Sequence, residues 1–154
     1  FQESMPLDIP SSDGPFSHAS KVVALVYDDG IVYSASDSGM IASWKTESDI
    51  FSNIARVKAH TKNLQALIKI EIPRTKTFAL ASCANEDSHV KIRDKELNLL
   101  YVLRCGVMEE ELDRGKNSSS IYDLNFRSPY LFCASKIRHK VKAKSRVKAK
   151  KIKL

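Results

Sequence analysis

Three short apolar segments separated by two glycine-containing turns constrain the fold more than any other feature of this sequence. The segments are Val22–Tyr27, Ile31–Ser36 and Met40–Thr46. Asp28-Asp29-Gly30 separates the first two, and Asp37-Ser38-Gly39 separates the second two. Asp-Gly and Ser-Gly between β-branched runs are typical of hairpins, because glycine adopts positive φ angles without steric cost. The stretch therefore predicts a three-stranded antiparallel meander.

The same kind of pattern continues along the chain and predicts further strands. Between Leu64 and Ile72, apolar residues recur at every second position with one exception, and a period of two over this length indicates a strand. The other predicted strands are Asn53–Val57, Thr77–Ala84, His89–Asp94, Leu99–Arg104, Ile121–Phe126 and Tyr130–Ser135.

An internal repeat follows from the spacing of these strands. The openings at Val22, Leu64 and Ile121 lie 42 and 57 residues apart, and the acidic segment Met108–Asn117 accounts for the longer interval. We expect that segment to be a solvated loop or one helical turn, with an exposed recognition loop as the alternative. Repeats of about 40–45 residues with four strands each are typical of propeller blades.

Composition excludes several classes of protein. Hydrophobic residues make up 43% of the chain, and no run approaches the roughly 20 apolar residues of a transmembrane helix. The first residues lack the basic start and apolar core of a secretory signal. The chain begins with Phe, so we expect either a piece of a longer protein or a true start that is not shown. The odd number of cysteines, their wide spacing and the lack of a Cys-x-x-Cys motif fit a reducing, cytoplasmic compartment. We expect neither a metal nor a cofactor.

Positive charge is concentrated at the C-terminal end. Residues 1–135 hold 15 basic and 18 acidic residues, whereas residues 136–154 hold 10 basic residues and no acid. Such a segment predicts a disordered or helical tail that could bind a polyanion and leaves nuclear localisation open. The candidate polyanion-binding residues are Lys136, Arg138, Lys140, Lys142, Lys144, Arg146, Lys148, Lys150, Lys151 and Lys153.

The repeated units resemble the WD-repeat β-propeller family, in which a blade opens near a Gly-His pair and its third strand closes with Trp-Asp. Here the units run from Ser17-His18 to Trp44-Lys45, from Ala59-His60 to Arg93-Asp94, and from Ser120 to Ser135. The resemblance covers residues 17–135 and implies stacked four-stranded blades.

The resemblance also implies a buried polar network in each blade, with a structural and not a catalytic role. Its members would be His18, Ser34 or Ser36, Asp37 and Trp44 in the first unit, and His60 and Asp87 in the second. In the second unit, Cys83 falls where the family commonly has Ser, and Arg93 falls at the Trp position. Arg93 then either pairs with Asp87 or points to solvent.

The predicted fold is therefore all-β, an incomplete β-propeller of four-stranded antiparallel blades. We expect an N-terminal loop over residues 1–16, units over about 17–58, 59–116 and 117–135, and a basic tail over 136–154. With Cys133 taken as the equivalent of Ser34 and Cys83, the Trp position falls on Ala143, so the tail is predicted not to be blade sequence. A closed propeller needs about four to eight blades, so the remaining blades come from a longer parent chain or from self-association.

These features favour a non-enzymatic function. His18 and His60 are better explained by the repeat, His89 opens a strand, and His139 lies in the tail. No glycine-rich phosphate loop occurs among the five glycines. The leading hypothesis is a protein-interaction scaffold or adaptor module, a fragment or short isoform of a larger WD-repeat protein. The alternatives are nucleic-acid or anionic-surface binding through the tail, and an accessory propeller segment of a multidomain signalling enzyme.

Overall fold

In the computed structural model, the described residues form three antiparallel sheets and no helix. The model describes residues 18–47, 50–85, 87–105, 117–139 and 145–154. The predicted N-terminal loop and most of the acidic segment lie outside these ranges. The all-β prediction is confirmed. Each sheet is open, and the three described sheets do not close into a barrel or a ring.

The strands follow one another along the chain within each sheet. Sheet 1 contains β1 (Val22–Asp28), β2 (Ile31–Ser36), β3 (Met40–Glu47) and β4 (Ile50–Lys58). Sheet 2 contains β5 (Leu64–Ile72), β6 (Thr77–Ala84), β7 (His89–Arg93) and β8 (Leu99–Arg104). Sheet 3 contains β9 (Asn117–Arg127), β10 (Tyr130–His139) and β11 (Ser145–Lys153).

The turns of sheet 1 explain why this part of the sequence folds as a meander. Asp28 pairs with Ile31, which leaves Asp29 and Gly30 as a two-residue turn with φ angles of 44° and 78°. Positive φ at both central residues matches the right-handed twist of a hairpin. Gly39 has a φ of 84°, and its carbonyl accepts the backbone N–H groups of Ala59 and His60. The β2–β3 turn is thereby tied to the start of sheet 2.

The sheets are stacked so that their first strands, β1, β5 and β9, are neighbours. An apolar cluster fills the junction of sheets 1 and 2, with Tyr33 and Ile41 on one side and Leu67 and Leu80 on the other. A second cluster fills the junction of sheets 2 and 3. Its buried members are Ile70, Ala79, Ala81, Cys83, Val90, Ile92 and Cys105 from sheet 2 and the linker after it, and Ile121, Leu124, Leu131 and Cys133 from sheet 3.

The strand register identifies equivalent positions in the three sheets. The pairing of the first two strands of each sheet contains a similarly placed irregularity, which fixes a common reference. The irregularity follows Val22, Leu64 and Ile121 in the three first strands. Three residues after each of these, Leu25 pairs with Ser34, Leu67 with Ser82, and Leu124 with Cys133. Because side chains alternate along a strand, this register also assigns each residue to a face of its sheet.

The basic segment differs from the predicted disordered or helical tail. β11 pairs with β10 from Tyr130↔Lys153 to Arg138↔Ser145. The predicted break after Ser135 falls within β10, which continues to His139. The physical reason is twofold: β10 offers an edge for pairing, and Ile152, which pairs with Leu131, packs against the second cluster. Lys140, Lys142 and Lys144 lie outside the described residues.

Candidate functional site

The first predicted network centres on the hydroxyl of Ser34 in β2. His18 Nε2 lies 2.6 Å from Ser34 Oγ, and Trp44 Nε1 donates to the same oxygen at 2.6 Å. The rings of His18 and Trp44 meet edge to face, with their centroids 6.3 Å apart. The structure therefore brings His18, Ser34 and Trp44 together.

The protonation of this network follows from the donor count. Ser34 Oγ accepts the indole N–H, so its own proton is available to donate to His18 Nε2 in a neutral imidazole. Burial lowers the pKa of His18 from its usual 6.5, and the charge of Arg56 lowers it further. The Arg56 guanidinium lies 6.0 Å from the centre of the Trp44 ring, on the same side of the sheet.

Asp37 is not joined to this network by any hydrogen bond between the described residues. Its backbone N–H donates to the carbonyl of Lys21. Ser36, the alternative to Ser34, instead places its hydroxyl 2.8 Å from that of Ser38 in the following turn. Of the two predicted serines, Ser34 is thus the one that contacts His18.

The second network centres on His60, which is 1% exposed. His60 Nδ1 lies 2.8 Å from Asp87 Oδ2, and His60 Nε2 lies 2.9 Å from Ser82 Oγ. A neutral ring with its proton on Nδ1 satisfies both contacts, because it donates to the carboxylate and accepts the hydroxyl proton. His60 and Asp87 are brought together as the sequence predicted, and Ser82 is the partner that the sequence reasoning missed.

Ser82 corrects the prediction for Cys83. By register, Ser82 is the equivalent of Ser34, whereas Cys83 is the equivalent of Ala35 and faces the opposite side of sheet 2. A one-residue shift along a strand moves a side chain to the other face. The available signal in the sequence was position: Ser82 lies in the second strand after His60, as Ser34 lies in the second strand after His18.

The order Ser82–His60–Asp87 matches the connectivity of a hydrolytic triad, but its geometry supports a structural role. Ser82 is 1% exposed and lies in the middle of β6 at the junction of sheets 1 and 2. A nucleophile must reach the substrate carbonyl, and this hydroxyl is covered by packed side chains. The network instead joins the β4–β5 linker to β6 and to the β6–β7 turn.

Asp87 is the anionic end of the second network. Burial alone would raise the pKa of its carboxyl group, but hydrogen bonds from the His60 ring and from the side chain and backbone of His89 outweigh burial and hold the pKa well below its usual range. His89 donates its backbone N–H to Asp87 Oδ1 at 3.0 Å. The carboxylate is therefore retained in its charged form.

The junction of sheets 2 and 3 has a pair of thiols where the preceding junction has an imidazole and a hydroxyl. The thiol of Cys105 interacts with that of Cys133, which also lies 3.7 Å from the Lys150 carbonyl oxygen, and both cysteines are 2% exposed. Cys133 is the equivalent of Ser82 by register. The backbone N–H of Cys105 donates to the carbonyl of Ser88, in the same way that the N–H of His60 donates to Gly39. Cys105 is thus the counterpart of His60.

Two lysines repeat the same contact beside these pairs. Lys91 Nζ donates to the carbonyl of Ala59, the residue before His60, at 2.7 Å. Lys150 Nζ donates to the carbonyl of Arg104, the residue before Cys105, at 3.0 Å. Lys91 pairs with Ser82, and Lys150 pairs with Cys133. These bonds support the assignment of Cys105 and Cys133 as a pair equivalent to His60 and Ser82.

The Trp position of each unit is also fixed by register. Val32 pairs with Trp44 and Leu80 pairs with Arg93, so Arg93 does occupy the Trp position of sheet 2. In sheet 3 that position is Ile152, which pairs with Leu131, and the predicted placement on Ala143 is wrong.

Arg93 follows neither of the two alternatives predicted for it. It is only 7% exposed, and its guanidinium donates to the carbonyl of Leu97 at 2.9 Å. Its Nε has no hydrogen-bond partner among the described residues. Burial lowers the pKa of Arg93, and the charge of Asp94 partly offsets this effect. No ion pair joins its side chain to Asp87 in the described part of the chain.

The outer strand of sheet 2 exposes a continuous run of apolar residues. Four consecutive residues of β8, Leu99–Val102, are each between 41% and 54% exposed. A groove of about 560 Å³ lies beside this strand. We call it the β8 groove; its lining residues are Ile72, Pro73, Arg74, Ile92, Tyr101, Leu103, Lys153 and Leu154.

The candidate polyanion-binding residues are distributed over two strands. Lys136 and Arg138 lie in β10, and Arg146, Lys148, Lys150, Lys151 and Lys153 lie in β11. Lys151 Nζ lies 3.7 Å from the centre of the Tyr130 ring. Within the described ranges, no group of three or more His, Cys, Asp or Glu side chains could hold a metal ion. No helix long and apolar enough to cross a membrane occurs in the same ranges.

Comparison with known proteins supports the fold alone. No protein-family model matches the sequence, and no match is found among curated proteins. The structure is similar to the crystal structure of the computationally designed Ika4 protein, with a TM-score of 0.53 and 18% identity over 85% of this chain and 73% of Ika4. It is also similar to the computationally designed Ika8 protein, with a TM-score of 0.50 and 19% identity, and the match spans 86% of this chain and 38% of Ika8.

Proposed function

We propose that this chain is a protein-interaction module that binds an extended peptide segment of a partner protein along the free edge of β8. One observation carries the proposal: β8 pairs with β7 alone among the described strands, and its residues Leu99–Val102 are exposed. An unpaired edge offers a row of backbone N–H and C=O groups to a further strand.

Addition of a strand to a sheet edge would use both the backbone and the side chains of β8. Backbone hydrogen bonds supply affinity, and pockets for alternate side chains supply specificity. Tyr101 and Leu103 point into the β8 groove, which can take the alternate apolar side chains of a bound peptide. Leu100 and Val102 lie on the opposite face of the strand and would contact the peptide side chains that point away from the groove.

The charges at the groove select one class of peptide. Arg74 and Lys153 are among its lining residues, and no acidic residue is. The peptide would therefore combine apolar residues at alternate positions with an acidic residue near these two cations. Charge complementarity of this kind affects specificity and association rate more than total affinity.

The test uses a fluorescein-labelled peptide of alternating Val and Thr with one central Glu, and a matched peptide with Lys in place of Glu. We expect saturable binding of the Glu peptide, measured by fluorescence anisotropy, and weaker binding of the Lys peptide. The double variant Arg74→Glu, Lys153→Glu should reverse this preference. Two further Glu peptides are N-methylated at one or the other set of alternate residues, so that each lacks the backbone donors of one strand edge. The peptide whose lost donors face β8 should bind at least about tenfold more weakly.

Two results would contradict the proposal. One is binding that is unaffected by N-methylation of either set, because strand addition requires backbone hydrogen bonds on one edge of the peptide. The other is an unchanged preference in the charge-reversed variant. Tyr101→Lys provides a further check, since Tyr101 is exposed on the edge strand and its loss should weaken binding without unfolding the sheet.

We also propose that the three sheets form part of a WD-repeat propeller of a cytoplasmic scaffold protein, in which the remaining sheets come from a longer parent chain or from further copies of this chain. The proposal is supported by the two similar sheet-to-sheet junctions and by the His–Ser contacts at the start of sheets 1 and 2. The complete parent sequence would test it: further repeats with a His and a strand Ser at matching positions are expected.

The two alternative functions stay predictions. Polyanion binding through residues 136–154 would involve β11, which is a paired strand. In β11, Lys151 and Lys153 are exposed, and Lys150 is hydrogen-bonded to the Arg104 carbonyl. Binding to a single-stranded RNA probe that falls steeply with salt and is lost in Lys151→Glu would favour it. An accessory role in a signalling enzyme would require the catalytic residues to lie in another part of the protein.

A further inference from the structure

Each junction between sheets joins two different kinds of face. Sheet 1 presents Tyr33, Ala35 and Ile41 to sheet 2, and sheet 2 presents the equivalent Ala81, Cys83 and Val90 to sheet 3. We call this the forward face of a sheet. The opposite, backward face carries Leu67 and Leu80 in sheet 2, and the equivalent Leu124 and Leu131 in sheet 3.

The stack therefore ends in one uncovered face of each kind. On the backward face of sheet 1, Leu25 is 67% exposed, whereas its equivalents Leu67 and Leu124 are each 5% exposed. Val22 on the same sheet is 43% exposed, whereas its equivalents Leu64 and Ile121 are 1% and 0% exposed. This face has the residue types of a junction but lacks a neighbouring sheet among the described strands.

The forward face of sheet 3 shows the complementary exposure. Phe132 is 37% exposed, whereas its equivalents Tyr33 and Ala81 are 1% and 0% exposed. Tyr130 lies on the same face, 6.5 Å from the Phe132 ring between centroids. The stack therefore has one uncovered backward face and one uncovered forward face, the two kinds that meet in each junction.

One pair of positions shows that the two uncovered faces are also chemically matched. In the first junction, Asp28 of the forward face forms an ion pair with Lys69 of the backward face. In the second junction the equivalent positions hold Ile70 and Phe126, which belong to one apolar cluster. On the uncovered faces these positions hold Arg127 and Tyr27, a cation and an aromatic ring, which attract each other when they are brought into contact.

We propose that a second copy of this chain covers these faces, with the backward face of its sheet 1 packed on the forward face of sheet 3. Such a contact is heterologous, because two different surfaces meet, and it closes into a ring only if the rotation between sheets allows it. Two copies would supply six sheets, which lies within the range of about four to eight for closed propellers. The contact continues the packing that the chain already uses twice.

The test is sedimentation velocity of the full chain over a wide range of protein concentration. We expect reversible self-association of the wild type. Leu25→Glu and Phe132→Lys each remove one face, and each alone should raise the dissociation constant at least about tenfold. Both side chains are partly solvent-exposed, so circular dichroism should show that both variants retain the sheets.

A mixture of the two variants distinguishes head-to-tail packing from other modes. Each variant retains the face that the other lacks, and where the two substituted faces meet, the introduced carboxylate and ammonium groups carry opposite charges. The mixture should therefore associate more tightly than either variant alone. Leu100→Glu, on the β8 edge, serves as the control and should associate like the wild type while losing the peptide binding proposed above.

Three results would overturn this inference. A wild-type chain that stays monomeric at high concentration would mean that a different sheet or partner covers the faces. Self-association that survives both single variants would place the interface elsewhere. A mixture that associates no better than its components would show that like faces meet.

Discussion

The thiols of Cys105 and Cys133 interact inside the second junction, in the position where an imidazole meets a hydroxyl in the first. Interaction with the Cys133 thiol, together with burial, raises the pKa of Cys105, and the same interaction lowers the pKa of Cys133. The second junction thus has thiols in place of both the imidazole and the hydroxyl of the first, and we interpret the two side chains as one interacting pair.

We expect Cys105→Ala and Cys133→Ala each to lower the free energy of unfolding by about 1–2 kcal/mol, through lost packing and a lost hydrogen-bond partner. The double variant should cost clearly less than the sum, because one interaction is removed in both. Urea denaturation of the four proteins gives the coupling energy. Cys105→Ala combined with Ser34→Ala, in a distant network, should be additive; additivity for the cysteine pair would show that the thiols do not interact.

Substitution of Gly39 should be far more damaging than substitution of Gly30, although both have positive φ angles. A Cβ atom at Gly39 would lie 2.2 Å from the His60 carbonyl oxygen, whereas a Cβ atom at Gly30 would meet nothing within 4 Å. Gly30→Ala should cost about 1–2 kcal/mol from the backbone conformation alone. Gly39→Ala should cost about 3 kcal/mol or more, because backbone must move and the contact that positions His60 is lost.

Thermal unfolding followed by circular dichroism would compare the two glycine variants. Equal losses of stability in the two variants would mean that the close approach of the β2–β3 turn to His60 contributes little to the stability of the fold.

The Asp87 carboxylate should make the protein sensitive to acid. Because its folded-state pKa is depressed, the charged form adds stability that is present above the ordinary aspartate pKa and is lost as pH falls toward the folded-state pKa. We expect the free energy of unfolding to fall below about pH 4. Asp87→Asn should be less stable at neutral pH and should lose much of this acid dependence, as measured by urea denaturation at several pH values. Asp29→Asn, at an exposed turn, is the control and should keep the wild-type slope.

His18 should add a separate pH dependence closer to neutrality. Its folded-state pKa is lowered, so protonation favours the unfolded chain, and stability should decline as pH falls from about 6.5. His18→Gln removes the titrating group and should flatten the curve between about pH 7 and pH 5. If the slope in this range is the same in the variant, another group is responsible for it.

Removal of residues 145–154 should destabilise the protein, because these residues supply the third strand of sheet 3. The deletion exposes the edge of β10 and removes Ile152 from the second cluster. We expect a lower midpoint of thermal unfolding and increased aggregation. Lys151→Gln with Lys153→Gln keeps the strand and removes charge, so it should unfold near the wild-type temperature. A deletion that is thermally neutral would mean that the segment contributes no packing.

Much of the strand pattern could be predicted, because local chemistry determines it. The alternation from Leu64 to Ile72 and the turn at Asp28-Asp29-Gly30 need no knowledge of distant residues, and the structure has strands at both places. The pairs His18–Ser34 and His60–Asp87 were likewise accessible, since the repeat aligns them. Ser82 was missed because the alignment was shifted by one residue, and in a strand that shift exchanges the two faces.

The remaining features depend on tertiary neighbours and were not accessible in this way. β11 is a strand because β10 provides an edge, while its own composition favours a solvated segment. Cys105 follows β8 as His60 follows β4, but only the backbone bonds to Ser88 and Gly39 reveal the match. The closure of the stack, the identity of a partner and the family all remain predictions.

The bond from Lys150 Nζ to the Arg104 carbonyl connects the last strand to the end of β8. Acetylation of this lysine would remove both its charge and the donor geometry of its ammonium group. Such a modification would loosen the joint beside the cysteine pair, so an enzyme that targets the basic segment would alter core packing as well as surface charge.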